Sequence, residues 1–259
     1  MKIGVCIKST PDTDTRIQID GSGTGIENNG IKWIISPYDA FAIEEGVQSK
    51  EAAGGEVVLF SASDRDVSKN LRDALALGPD RAVLVKDDAM ASTDALGTAS
   101  ALAAAIKAEE CEIVFTGKQA IDGDNVQVPA MIAELLGWPH VSFVTDFQLD
   151  GSNFTAVRSV GGGTEEVVTG SLPVVITAER GMNSPRYAKL PMIMKAKRKK
   201  LDTKSAADLG LSADDLAPAV TLNNFGLPPG RPAGRILEGD AASTSKELVR
   251  LLREEAKVI

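Results

Sequence analysis

The stretch Thr116-Gly117-Lys118-Gln119-Ala120-Ile121-Asp122-Gly123-Asp124-Asn125 is polar, glycine-containing and long for a link between a strand and a helix. Placed beyond the carboxyl end of a parallel strand, such a loop exposes backbone amides that capture an anion. Lys118, Gln119 and Gln127 add hydrogen-bonding side chains. Asp122 and Asp124 would repel a phosphate unless the amides outweigh them. The plainer reading is a capped helix start, with Asp124 or Asn125 as the N-cap. A second outlier is 195–200, where five of six residues are basic. It follows the apolar stretch Leu190-Pro191-Met192-Ile193-Met194, whose backbone Pro185 and Pro191 restrict. An apolar anchor ringed by charge suits protein docking. The competing reading puts Leu190, Ile193 and Met194 in the core.

Other chemistries find little support. A single histidine, His140, rules out a multi-histidine metal site; beside Pro139 at the end of a helix it reads as exposed or capping, and no Ser-His-Asp geometry can be nominated on it. Cys6 and Cys111 sit in apolar runs and read as buried thiols, too few for a disulfide framework. There is no P-loop motif. Gly21-Ser22-Gly23 starts like a dinucleotide fingerprint, but Ile26 occupies the third glycine position. Gly161-Gly162-Gly163 reads as a turn. With 36 acidic against 28 basic residues, a net charge of −8 and 4% aromatic residues, a nucleic-acid binder is disfavoured. No apolar run is long enough to span a bilayer. The start of the chain shows no leader pattern, so a cytoplasmic, reducing location is expected.

The elements that must position these groups alternate. Strands are expected at 2–7, 56–60, 81–85 and 112–116, and helices from 37, over 65–77, 93–109 and 125–136. Ser36-Pro37 supplies the N-cap and first turn of the first helix, with Glu44 and Glu45 outward. Segments 16–20 and 31–35 look like a hairpin off the main sheet. The alternation predicts an α/β fold, a mostly parallel sheet with helices on both faces. Runs at 141–148, 154–160, 166–169 and 174–177 predict a hairpin or meander portion. Past residue 200 the chain turns polar (201–218), then rich in Pro and Gly (223–234), then amphipathic (243–257). The expected division is a body of 1–200, including a docking loop at 180–200, and a C-terminal arm of 201–259 that packs on another chain.

These residues carry a family resemblance. Gly117-Lys118-Gln119-Ala120-Ile121-Asp122 with Asp124 and Gln127 resembles the nucleotide-binding loop of the β subunit of electron transfer flavoproteins. Arg186-Tyr187-Ala188, Leu190-Pro191 and Ile193-Met194-Lys195-Ala196-Lys197 resemble that family's partner-recognition loop. The region 156–177 is similar to the family signature through Arg158, Gly162, Gly163, Glu166 and Pro173, and departs from it at Gly161, where an acidic residue is usual. Val5, Ile7-Lys8, Pro11-Asp12, Ser36-Pro37-Tyr38-Asp39 and Glu44-Glu45 complete the match over 1–200.

The resemblance implies an adenine-nucleotide α-hydrolase-like sheet and an electron-carrier subunit rather than an enzyme. It implies a heterodimer with an α subunit holding the redox FAD. AMP would lie at the ends of strands 2–7, 56–61 and 112–116, lined by Cys6, Ser36, Asp39 and Ala62. The loop completing that site is Gly117, Lys118, Asp122, Asp124, Asn125, Val126, Gln127 and Val128, with the amides of 125–128 toward the phosphate. Docking of acyl-CoA and related dehydrogenases would use Leu190, Pro191, Ile193, Met194, Lys195, Lys197 and Arg198, and electrons would pass to a quinone oxidoreductase. Two alternatives stay open: an electron-bifurcating type with a second FAD in the β subunit, and a stand-alone adenine-nucleotide-binding α/β module.

Overall fold

The computed structural model describes residues 1–231 and 233–259, so the Pro/Gly segment 223–234 is described apart from Pro232. In chain order the elements are β1 (Lys2–Cys6), β2 (Ser9–Pro11), β3 (Trp33–Ile35), α1 (Pro37–Ala53), β4 (Glu56–Ser63), α2 (Ser68–Leu75), β5 (Arg81–Lys86), α3 (Ala95–Ala108), β6 (Ile113–Gly117) and α4 (Val128–Leu136). They continue with β7 (His140–Asp150), β8 (Asn153–Gly161), β9 (Thr164–Ser171), β10 (Val174–Ala178), α5 (Leu190–Ala196), β11 (Leu201–Lys204) and α6 (Ala241–Glu254). Among the described residues the main sheet has nine strands in the order β11-β5-β4-β1-β6-β10-β7-β8-β9. Pairings from β11 through β7 are parallel, and β7-β8-β9 form an antiparallel meander.

The continuous apolar runs of the central strands are explained by two covered faces. Val57 and Leu59 of β4 join Ile3, Val5, Ile113 and Phe115 on one face, packed by Ile43 and Val47 of α1 and Leu71 and Leu75 of α2. Val58 and Phe60 point the other way, with Val83, Val85 and Val114, against Leu102 and Ile106 of α3 and Ile132 of α4. The chain steps outward from β1 to β4 and β5, then returns to place β6 on the other side of β1. The strand order therefore reverses at β1 and β6, and the carboxyl ends of these two strands form the switch point where α/β sheets bind ligands.

Several expectations are corrected. The hairpin pairs β2 with β3 rather than 16–20 with 31–35. Its loop end is fastened by the Lys32 Nζ–Asp12 ion pair at 2.6 Å, while 16–20 pairs, among the described residues, through the Ile19–Ile26 bridge. The fourth helix starts at Val128, not 125, and its N-cap position is Gln127, without a side-chain capping bond. The polar segment 201–218, expected to belong to the arm, begins with β11, which adds to the sheet beside β5. Leu216 is also buried against the α3 face, so the packed body runs past residue 200. The hydroxyl of Thr93 and the carboxylate of Asp94 hold the carbonyl of Leu216 and the amides of Ala219 and Val220, which fastens the root of the arm. Beyond it, from 217 to 243, Leu237 is the one described residue that is not exposed. His140 is half-buried at the start of β7, and its Nε2 has no partner among the described residues. Burial, with the charge of Arg158 adding to it, lowers its pKa.

Candidate functional site

The residues expected to line the nucleotide site gather at the carboxyl end of the sheet. Cys6 ends β1, level with Phe60 of β4 and Thr116 of β6. Ala62 lies two residues further along β4, and Gly117 ends β6. Ser36 hydrogen-bonds its amide to the carbonyl of Lys8 at 2.9 Å, which brings the start of α1 to the tip of β1. Pro37 in the first turn suits this entry, because its missing N–H has no helical partner there anyway. Ser36 is fully buried, and its Oγ has no partner among the described residues, leaving a polar atom for a ligand to satisfy.

Asp39, in the first turn of the same helix, is 6% exposed. Its Oδ2 accepts from the Lys8 amide at 2.7 Å and its Oδ1 from the Gly117 amide at 3.2 Å, so one carboxylate ties the tips of β1 and β6. Close approach requires glycine at 117: a Cβ there would lie 2.4 Å from Asp39 Oδ1 and 2.8 Å from the Tyr38 carbonyl carbon. Burial pushes the Asp39 carboxyl up to about 7 against the opposing pull of the two amides and of Lys8, with the charge of Asp122 adding to the rise. The folded chain thus holds a proton that an unfolded aspartate releases at 3.8, so the contribution of Asp39 to stability falls as pH rises between these values and levels off above about 7. Asp39→Asn is expected to remove this contribution to the slope. Melting temperatures of both forms across the same window check it, and an unchanged slope would contradict the assignment.

The loop after β6 is pinned at three points. Lys118 Nζ pairs with Glu179 at 2.7 Å and lies over the rings of Tyr38 (4.9 Å) and Phe143 (5.5 Å). Lys8 Nζ holds Asp122 at 2.8 Å, and Gln119 donates to Asp124 at 2.8 Å. The two carboxylates that would repel an anion are therefore engaged. Asp124 and Val126 adopt positive φ (49° and 54°), an uncommon backbone for such residues that marks a specified loop conformation. Among the described residues, the amides of Asn125, Val126, Gln127 and Val128 donate to no protein group. Residues 122–127 are exposed, so these amides are open to a ligand or to water. The thiol of Cys6, by contrast, is pushed well up by burial and is chemically quiet.

The expected docking residues lie elsewhere, on α5 and the two residues that follow it. Leu190 is 72% exposed, Met194 56% and Ile193 39%, which removes the reading of these three as core. Lys195, Lys197 and Arg198 are exposed, whereas Lys199 turns inward to the carbonyls of Leu75 and Pro79. Leu190 starts a short helix rather than sitting in a loop.

Glu44 and Glu45 were expected to face outward and do not: they are 5% and 7% exposed. Arg186 covers Glu44, and Asn183 donates to Glu45 at 3.0 Å. Sequence reasoning also missed Lys8, Tyr38, Phe143 and Glu179 as supports of the loop. For Glu44 and Glu51 the available signal was their spacing of seven on one helix, which places two carboxylates on one face.

Fold and site together define a parallel α/β domain with a candidate ligand site at its switch point and a separate exposed apolar face. A family model described as the electron transfer flavoprotein domain matches residues 24–209. A chain from Bacillus subtilis named electron transfer flavoprotein subunit beta is 41% identical, over all of both chains. One of the same name from Homo sapiens is 34% identical over 100% of this chain and 99% of its own. One from Mus musculus is 35% identical over 98% and 97%. The chain belongs to the electron transfer flavoprotein family, on its β-subunit side. These relatives are named as subunits of an electron carrier, in keeping with the expected carrier subunit rather than an enzyme. Among the described residues, no helix is long and apolar enough to cross a membrane.

Proposed function

We propose that this chain is the β subunit of a heterodimer whose α subunit carries the redox FAD, and that it binds AMP structurally at the β1/β6 switch point. The observation that carries the nucleotide reading is the run of unpaired amides at 125–128, together with the orphaned Ser36 hydroxyl at the start of α1. The residues present fit an adenine nucleotide: amides for the phosphate, and the buried Ser36, Asp39 and Cys6 with the half-buried Ala62 at the strand ends. FAD supplies the redox chemistry when bound in the α subunit; the part of this chain is to bind, orient and dock.

In this reading the α5 face seats acyl-CoA and related dehydrogenases, and electrons continue to a quinone oxidoreductase. The carrier works in the cytoplasm. The ligand released from the purified heterodimer, read by absorbance and mass, tests the nucleotide assignment. AMP with a single flavin is the expected content. Two flavins without AMP would replace it with the electron-bifurcating type, and a stable chain that assembles without a partner would favour the stand-alone module.

The arm is assigned to the α subunit. No residue of α6 is buried, and Leu222, Leu227, Ile236 and Leu248 are all exposed, so their apolar surface lacks a home on this chain. Deleting 220–259 is expected to lower heterodimer yield severely while leaving the secondary structure of 1–217 in place. Co-purification and circular dichroism check this, and an undiminished heterodimer would count against it.

A further inference from the structure

The α5 face is poorly held by its own packing. Of its seven residues only Ala196 is buried, and 180–189, which leads into it, has no helix or strand. What holds the leading segment is a polar clamp on α1. Arg186 donates from its backbone amide (3.1 Å), Nε (2.8 Å) and Nη2 (2.9 Å) to the buried carboxylate of Glu44. The same guanidinium reaches Glu51 through Nη1 at 2.8 Å and Nη2 at 3.0 Å. Gln48 adds a bond to Glu44 at 2.8 Å, and Asn183 donates to the carbonyl of Phe41 at 3.0 Å. Burial raises the pKa of Glu44, but these hydrogen bonds together outweigh it and keep the carboxylate ionised. At the other end of α5, Arg72 of α2 donates to the carbonyls of Ala196 (2.8 Å) and Lys199.

We propose that Arg186 is the positioning residue of the docking face: its fork, closed on Glu44 and Glu51, sets the approach of 180–189 so that Leu190, Ile193 and Met194 are presented in one fixed orientation. The inference rests on the docking reading above. A planar guanidinium satisfies two carboxylates at defined angles, which a lysine ammonium does not. A surface ordered before encounter avoids the entropy of ordering it on binding. Arg186 then acts through the placement of Leu190, without itself touching the partner.

The test measures dehydrogenase-coupled flavin reduction by the intact heterodimer. Arg186→Gln is expected to raise KM for the partner about tenfold, the scale of a lost preorganisation, with kcat and flavin content unchanged. Arg186→Lys should recover part of that loss. Glu51 is exposed, so Glu51→Gln keeps the fold, and it should raise KM in the same direction by a smaller factor. In a Leu190→Ala background, Arg186→Gln should add less than about twofold, because two changes acting through one contact are not additive. A full multiplicative effect in that background, or a fall in kcat and melting temperature with KM unchanged, would overturn the proposal. If Leu190→Ala alone leaves KM unchanged, the docking reading itself fails, and the two failures are thereby told apart.

Discussion

Leu190→Ala is expected to cut affinity for the partner dehydrogenase by about ten- to hundredfold, since a leucine side chain buried at an interface contributes roughly 1.5–3 kcal/mol. The side chain stands 72% exposed at the head of α5, so its removal opens no cavity and costs the fold little. Melting temperature and flavin content should therefore stay unchanged while coupled electron transfer at limiting partner falls. A drop in melting temperature with coupling intact would reverse the assignment. Lys195, Lys197 and Arg198, which follow this anchor in the chain, carry exposed positive charge, and their steering of an acidic partner should weaken as salt rises. Coupling indifferent to ionic strength would remove the charge contribution and leave the leucine standing.

Gly117→Ala is expected to damage the nucleotide site more than any surface change in the loop. The added methyl would meet Asp39 Oδ1 and the backbone of Tyr38 at 2.4–2.8 Å, and backbone cannot swing aside as a flexible side chain can. Forcing α1 away from β6 breaks the Asp39–Gly117 bond and moves Ser36 with it. Overpacking of this kind costs about 1–3 kcal/mol. The expected result is a lower melting temperature together with loss of retained nucleotide from the purified heterodimer. Retention at the level of the unaltered protein would show that the α1 entry does not shape the site.

The parts legible in the sequence were those with a local cause. Val57-Val58-Leu59-Phe60 has no polar face, so it had to be a strand covered on both sides, and the sheet packs it that way. Pro37 marked the start of α1, because proline suits a first turn, and in the structure the amide of Gly54 closes the last turn on Lys50. The loop 117–128 was visible as a site because it is long, polar and placed after a strand. Its helix boundary was misjudged by three residues, since Asn125 resembles an N-cap although the chain there is still irregular.

What the sequence by itself determined is thus the alternation of elements, the two covered faces and the two segments worth calling functional, all of which follow from interactions within a turn or a strand. Only the tertiary structure decided the partners. Glu44 is buried because Arg186, 142 positions away, lies over it, and nothing in the helix's own pattern encodes that cover. Asp39 is a tie between two strand tips, and Lys8 a latch on Asp122 across 114 positions. β10 enters between β6 and β7 after the whole meander has passed. Such pairings depend on which distant groups the closed sheet brings within hydrogen-bond reach, a property of its topology rather than of any stretch of residues read alone.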